Sequence, residues 1–133
     1  MVQILAVGEV MVELAPAGLA AQDNLMRLGF AGDTYNSAVY AARLGLAVGY
    51  FTRLGDDPYS AQAIARMNAE GLETSSVETV AGRTPGLYMI ANQANGERTF
   101  TFWRSQSPAR ELFATPASIK ALQEQLHTTE YVY

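Results

Sequence analysis

The sequence predicts an α/β fold, and three features of the chain indicate it. The hydrophobic fraction of 49% over 133 residues is enough to build a packed core. Two short apolar runs, at residues 3–7 and 48–53, have the composition of strands that are buried on both faces, as in a parallel sheet. Helix-start and helix-stop signals follow these runs, which gives the strand–helix alternation of α/β domains.

The first predicted helix covers residues 34–44 and begins directly after a glycine. Asp33 or Thr34 is predicted to cap its start, and Gly45 is placed to end it. Three of its residues are predicted to face a sheet: Val39, Ala42 and Leu44.

Two further helices begin where a capping side chain is followed by proline. The carboxylate of Asp57 can cap the free N–H groups, and Pro58 suits a first helical position that needs no N–H donor. This helix is predicted to run to Glu70 and to stop in a left-handed turn at Gly71. Thr115-Pro116 repeats the signal before a helix that extends to residue 127.

Two more apolar segments are predicted to be strands. Residues 11–15 form a short apolar stretch that Pro16-Ala17-Gly18 ends, and residues 131–133 have the composition of the opening of another strand. Because no helix follows to cover that last strand, we expect the chain to be the N-terminal part of a longer protein.

A predicted β-hairpin interrupts this alternation. The segments 87–92 and 98–104 are rich in β-forming residues, and Asn95-Gly96 between them is a strong turn signal. In the second segment, Thr99, Thr101 and Trp103 alternate with two phenylalanines, which is typical of a sheet whose faces differ in exposure. The hairpin is therefore predicted to be a flap outside the core.

Composition excludes several classes of function. With 9 Lys+Arg against 13 Asp+Glu, the net charge of −4 does not suit a nucleic-acid surface. The absence of cysteine excludes a disulfide scaffold, Cys-ligated zinc and a thiol nucleophile, and His127 as the single histidine leaves no His-rich metal site. No apolar run reaches the roughly 20 residues of a membrane span, and the start lacks a basic signal-peptide region. We therefore expect a cytoplasmic protein without metal ligands and without nucleic-acid or membrane partners.

The stretch from residue 29 to residue 45 contains the side chains that best suit a binding site. Gly32 precedes a helix, where backbone N–H groups are free and the missing Cβ permits close approach. Asp33 and Asn36 lie three residues apart on one side of the first helical turn and can accept hydroxyl donors from a sugar. By spacing alone, turn glycines and helix capping explain the same residues without a ligand, and both interpretations stay open.

Motifs along nearly the whole chain occur in an order that is typical of one family. They are Ala31-Gly32 with Asn36 and Ala38, then Gly45 and Gly55-Asp56-Asp57, together with the segments 8–14, 85–88 and 96–104. The chain thereby resembles the ribokinase-type (PfkB) carbohydrate kinases, and the last three segments resemble more narrowly those of 2-keto-3-deoxygluconate kinases. Two positions differ: Ala31 replaces a usual glycine, and Phe102 stands where a tyrosine is common.

The resemblance implies a ribokinase-like fold, in which helices flank a parallel sheet and a small inserted β lid covers the sugar. Residues 1–133 would form the N-terminal part of one such domain, with lid segments near 11–30 and 84–104. The implied reaction transfers the γ-phosphoryl group of ATP, with Mg²⁺, to 2-keto-3-deoxygluconate. The resemblance implies six substrate-binding residues: Gly32, Asp33, Asn36, Tyr88, Phe102 and Arg104. Arg104 suits a sugar acid because a guanidinium binds a carboxylate bidentately.

The family's catalytic base, an aspartate in a late Gly-Ala-Gly-Asp motif, has no counterpart in this sequence. We expect that base, and the sites for ATP and Mg²⁺, beyond Tyr133, so the 133-residue chain is predicted to lack kinase activity. Asp56 and Asp57, beside a proline, are interpreted as helix caps. Glu9 and Glu13, at strand ends, are interpreted as structural.

Two alternatives remain open. The first is another sugar kinase, a fructokinase or ribokinase, which Arg104 would distinguish because a neutral sugar offers no carboxylate. The second is a non-catalytic interaction half-domain, because an exposed lid and an unfinished sheet edge invite pairing with another chain. Lids of this kind often pack against each other, so the resemblance also suggests a homo-oligomer through the lid. The binding hypothesis requires that Gly32 and Arg104 face one small molecule.

Overall fold

The structure, a computed structural model, describes residues 1–18 and 24–133, so the part of the predicted lid segment at 19–23 lies outside the described residues. A short 3₁₀ helix, Pro108–Glu111, precedes the last α-helix. The elements in chain order are β1 (Ile4–Val7), β2 (Met11–Pro16), β3 (Met26–Ala31), α1 (Asp33–Arg43), β4 (Val48–Gly55), α2 (Pro58–Ala69), β5 (Val77–Val80), β6 (Leu87–Asn92), β7 (Arg98–Trp103), α3 (Pro116–Leu126) and β8 (Tyr131–Val132).

The first sheet is parallel throughout and has the strand order β5-β4-β1-β8. One face packs on α1 and α2 through a core that includes Tyr50, Leu54 and Met67. The other face packs Leu5 and Phe51 against Leu112 and the helix α3. Burial on both faces explains why the strands β1 and β4 consist of continuous apolar residues. The predicted parallel sheet flanked by helices is confirmed.

The start of α1 differs from the prediction in its cap. Gly32 occupies the N-cap position and no side chain caps the helix, so neither Asp33 nor Thr34 has that role. The hydroxyl of Thr34 instead lies 2.8 Å from the buried hydroxyl of Tyr50, which fixes the first turn of α1 to the sheet. The prediction that Leu44 faces the sheet is wrong, because its side chain is 83% exposed just beyond the last turn.

The starts of α2 and α3 agree with the prediction. The Asp57 carboxylate accepts hydrogen bonds from the backbone N–H groups of Tyr59 and Ser60, at 2.9 and 3.2 Å. Thr115 and Ser118 form a reciprocal capping box at α3. The interpretation of Asp56 as a second cap is wrong, because its carboxylate accepts a hydrogen bond from the backbone of residue 82.

The second sheet contains four strands in the order β3-β2-β6-β7. The strands β6 and β7 form the predicted hairpin, in which Asn92 pairs with Arg98 and Gly96 has a positive φ of 86°. The strand β6 pairs in parallel with β2, so the hairpin extends the β2–β3 pair and both predicted lid segments contribute strands to this sheet. The strands β3 and β5 were not predicted as separate elements.

The outer strand β7 is exposed at every one of its six residues. The predicted difference between its two faces is therefore absent, since the phenylalanines and the threonines are both open to solvent. Among the residues that the structure describes, no helix is long and apolar enough to cross a membrane.

Candidate functional site

The candidate site lies where the start of α1, the β1–β2 connection and the second sheet meet. Gly32 lies so close to the connection that a Cβ at this position would overlap the carbonyl oxygen of Glu9. Because that oxygen belongs to the backbone and cannot rotate away, position 32 has to be a glycine for the helix to begin here.

The side chain of the same glutamate reaches the second sheet. Its Oε2 atom lies 2.5 Å from Nη2 of Arg104, which directly follows β7. The side chain of Glu9 is 10% exposed and that of Arg104 is 45% exposed. A Cβ at Gly86 would lie 2.5 Å from the other carboxylate oxygen and 3.1 Å from Cβ of Arg104, so the absent side chain of Gly86 makes room for the pair.

The structure thus brings together two of the predicted site residues. Gly32 contacts the backbone of Glu9 and Arg104 contacts its side chain, so this one glutamate connects the two. That both residues face one small molecule remains a prediction, as does their binding of a sugar.

The two predicted site residues within α1, Asp33 and Asn36, are exposed but face different surroundings. Asp33 lies beside the end of β8, with its Oδ1 atom 3.4 Å from the hydroxyl of Tyr133. Asn36 lines a hollow of about 160 Å³ between α1 and α2, together with Arg43 and Arg66. Of the three predicted site residues at the start of this helix, Gly32 is thus the one that the structure connects to Arg104, through Glu9.

Tyr88 lies in β6, in register with Glu13 on the neighbouring strand β2. Its buried hydroxyl donates a hydrogen bond to the Oε2 atom of Glu13. Burial raises the pKa of Tyr88 well above its ordinary value, and the Glu13 carboxylate adds to this increase. The hydroxyl therefore keeps its proton and is held toward β2 rather than free to rotate.

Phe102 stands opposite Tyr88 on the outer strand of the sheet. Their ring centroids are 5.6 Å apart, and Phe100 completes a group of three tilted or stacked rings. Phe102 is 49% exposed, so one face of this group is open. An open aromatic face provides an apolar surface on which the C–H groups of a bound molecule can pack.

The sequence profile described as "pfkB family carbohydrate kinase" matches residues 1–133. The chain belongs to this family. It is 37% identical to the 2-dehydro-3-deoxygluconokinase of Dickeya dadantii over 98% of this chain and 41% of that protein. A fructokinase of Oryza sativa is 28% identical over 87% of this chain and 36% of that protein. A crystal structure of a PfkB protein from Polaromonas sp. JS666 has a TM-score of 0.83 and 26% identity, over 99% of this chain and 44% of that chain.

These matches establish the ribokinase-like fold that the resemblance implied. They also show that the chain spans about two fifths of the length of the curated relatives that it matches. The activity, substrate and partners of a complete kinase are therefore proposals for this chain.

Two residues that matter to the geometry of this pfkB chain were interpreted as merely structural. Glu9 contacts both Gly32 and Arg104, and Glu13, which lies inside β2 rather than at its end, binds Tyr88. The sequence did contain a signal, because glutamates in apolar strand surroundings are seldom buried unless a partner compensates their charge. Which partner each one takes depends on the pairing of β2 with β6, which no local pattern specifies.

A carbohydrate kinase implies a site for the Mg²⁺–ATP complex. Within residues 1–18 and 24–133, no group of three or more acidic or histidine side chains is arranged to hold a metal ion. Asp57 is engaged as the cap of α2, and Asp56 bonds to the backbone of residue 82. The described residues therefore do not fit an Mg²⁺–ATP site.

Proposed function

We propose that residues 1–133 form the sugar-acid-binding part of an ATP-dependent 2-keto-3-deoxygluconate kinase, also called 2-dehydro-3-deoxygluconokinase. The observation that carries the proposal is the half-exposed guanidinium of Arg104 close to Gly32. A sugar acid offers a carboxylate that this cation can bind bidentately, whereas fructose offers no anion. The higher identity to the 2-dehydro-3-deoxygluconokinase than to the fructokinase supports the same choice.

Each predicted residue has a role that follows from its chemistry. The free N–H groups at the start of α1, next to Gly32, bind sugar oxygens, and Asp33 accepts hydrogen bonds from sugar hydroxyls. The side-chain amide of Asn36, on the same helix, forms a further hydrogen bond with the sugar. The Tyr88–Phe102 pair offers an apolar face to the sugar carbons, and Arg104 binds the carboxylate.

In the proposed reaction, the γ-phosphoryl group of ATP passes to the terminal hydroxyl of the sugar acid. The family's Gly-Ala-Gly-Asp motif, which provides the base, does not occur in the 133 residues. We therefore expect the chain alone to produce no ADP above background in a coupled assay with ATP, Mg²⁺ and 2-keto-3-deoxygluconate. Turnover in that assay would contradict this assignment of the chain to substrate binding.

The binding proposal is tested by calorimetric titration of the 133-residue chain with 2-keto-3-deoxygluconate and with fructose. Replacing Arg104 with alanine is expected to weaken binding of the sugar acid about 10- to 100-fold, the usual contribution of a charge-assisted hydrogen bond. Arg98→Ala, which removes an exposed arginine at the far end of the same strand, is the matched control and leaves the affinity unchanged.

The other two candidate functions predict different titrations. Tighter binding of fructose, with no effect of Arg104→Ala, would assign the chain to a neutral-sugar kinase. Failure to bind either sugar, together with self-association in size-exclusion chromatography, would favour an interaction half-domain. The exposed β7 edge of the second sheet is the observation that keeps this last candidate in the test.

A further inference from the structure

Glu9 is a buried acid that depends on a single cation. Its Oε2 atom contacts Arg104, whereas its Oε1 atom is buried and has no hydrogen-bond partner among the described residues. A buried carboxylate is costly unless its charge is compensated. The contact with Arg104 is therefore the interaction that makes this position tolerable for an acid.

Arg104, by contrast, has hydrogen-bond donors to spare. A guanidinium carries five N–H donors in a planar fork, and the Nη2 atom of Arg104 lies against Glu9. In the part of the chain that the structure describes, Glu9 is its one ion-pair partner. Since the side chain is almost half exposed, its remaining donors can bind a second anion while the contact with Glu9 persists.

Two roles for Glu9 follow from this arrangement, and the burial distinguishes them. In the first, Glu9 occupies Arg104 only until a ligand carboxylate displaces it. That exchange would leave Glu9 buried with neither oxygen paired, which is strongly unfavourable. In the second, the ion pair persists and the ligand binds the free edge of the guanidinium, so that no buried charge loses its partner.

We propose that Glu9 is a positioning residue that holds the guanidinium of Arg104 toward the carboxylate of a sugar acid. The inference rests on the proposed function and gives Glu9 a part in the selectivity of the site for acids, through Arg104. The backbone of Glu9 also contacts Gly32, so this residue fixes the spacing between the carboxylate-binding end and the helix start. Gly86 supports the arrangement because any larger residue would displace the Glu9 carboxylate.

The test uses the 133-residue chain and its variants Glu9→Gln, Arg104→Ala and the double variant. Each is titrated with 2-keto-3-deoxygluconate and with the uncharged amide of the same sugar acid. Glu9→Gln is expected to weaken binding of the acid about tenfold and binding of the amide less than about twofold. In the Arg104→Ala background, Glu9→Gln has no further effect, because Glu9 acts through that arginine.

Glu97→Gln is the matched control for the loss of one negative charge. Glu97 lies in the exposed turn of the β6–β7 hairpin, so this variant keeps the affinity of the unmodified chain. A merely structural role of Glu9 would weaken binding of the acid and of the amide alike, and that result would overturn the proposal.

Unchanged or tighter binding of the acid to the Glu9→Gln variant would also overturn it and favour displacement of Glu9 by the ligand. If the unmodified chain binds neither sugar compound, the proposed function itself fails. If a variant does not fold, a second measurement on the unmodified chain still tests the proposal. NMR signals of the Arg104 guanidinium report how fast this group rotates. Slow rotation of this group supports the proposal, and free rotation overturns it whatever the titrations give.

Discussion

The two sheets of this molecule are held together in different ways. In the first sheet, helices cover both faces, and the side chains of Leu5, Tyr50 and Leu54 are almost completely buried. The second sheet packs around one small apolar cluster, and its outer strand β7 is exposed along its whole length. The first sheet thus has the packing of a domain core, whereas the second is a thin layer with open surface.

Polar contacts between side chains occur in both sheets, and in the first sheet Arg53 of β4 pairs with a glutamate of β5. Two buried or half-buried glutamates, Glu9 and Glu13, connect to Arg104 and Tyr88, and all four lie in or beside the second sheet. Such pairs add little net stability, but they fix the direction in which each side chain points. We therefore expect the first sheet to provide most of the stability, and under the proposed function the second sheet provides the groups for recognition.

The largest expected effect tests how much each sheet contributes to stability. Leu54→Ala removes a side chain that is 1% exposed in the first sheet, and we expect a loss of about 2–5 kcal/mol in the free energy of unfolding. Phe100→Ala in the second sheet removes a larger side chain that is 47% exposed, and we expect a loss of about 1 kcal/mol or less. Urea denaturation followed by circular dichroism measures both.

The order of the two losses decides the outcome. Phe100 is the stricter comparison because it is the larger residue, so volume alone would predict the reverse order. A loss for Phe100→Ala that equals or exceeds the loss for Leu54→Ala would show that the second sheet contributes to the core as much as the first.

The next effect concerns the point where the two regions meet. Gly32→Ala places a methyl group on the backbone oxygen of Glu9, so the start of α1 and the β1–β2 connection must separate. We expect a loss of at least about tenfold in affinity for the sugar acid, because the helix start and Arg104 no longer keep their spacing. Calorimetric titration of the 133-residue chain measures this loss.

A second glycine provides the matched control. Gly29, in β3, has only the Glu13 carboxylate within 4 Å of an added Cβ, at 3.8 Å, which is an ordinary contact. Gly29→Ala should therefore change the affinity less than about twofold. Equal effects of the two substitutions would mean that the contact between Gly32 and Glu9 has no special importance.

Three of the four strands in each sheet were predicted from the sequence, and the strength of the local signal divides them from the two that were missed. The parallel strands β1 and β4 and the helix starts at Asp57 and Thr115 depend on signals within a few residues, namely apolar runs, caps and prolines. The strand β3 was missed although Met26, Leu28 and Phe30 alternate with Arg27 and a glycine, because that glycine weakens a strand pattern. The short edge strand β5 gave even less signal.

The candidate site shows the same division. Gly32 was predicted from its position before a helix and Arg104 from the family resemblance, and the structure places both against Glu9. The glutamate itself was set aside, because its importance arises from contacts with residues 23 and 95 positions away in the chain. Contacts of this kind depend on how the two sheets are joined, and no local pattern of residues encodes that.

The smallest expected effect concerns ligand recognition by the second sheet. Phe102 stands where related kinases commonly have a tyrosine, and its ring is half exposed beside Tyr88. Since Phe102 is 49% exposed, we expect the added hydroxyl to reach solvent, so Phe102→Tyr should leave the free energy of unfolding unchanged. One additional hydrogen bond to the sugar acid should raise its affinity about two- to fivefold. Titration and urea denaturation of the same variant separate the two quantities, and a clear loss of stability would show that Phe102 is packed more tightly than its exposure indicates.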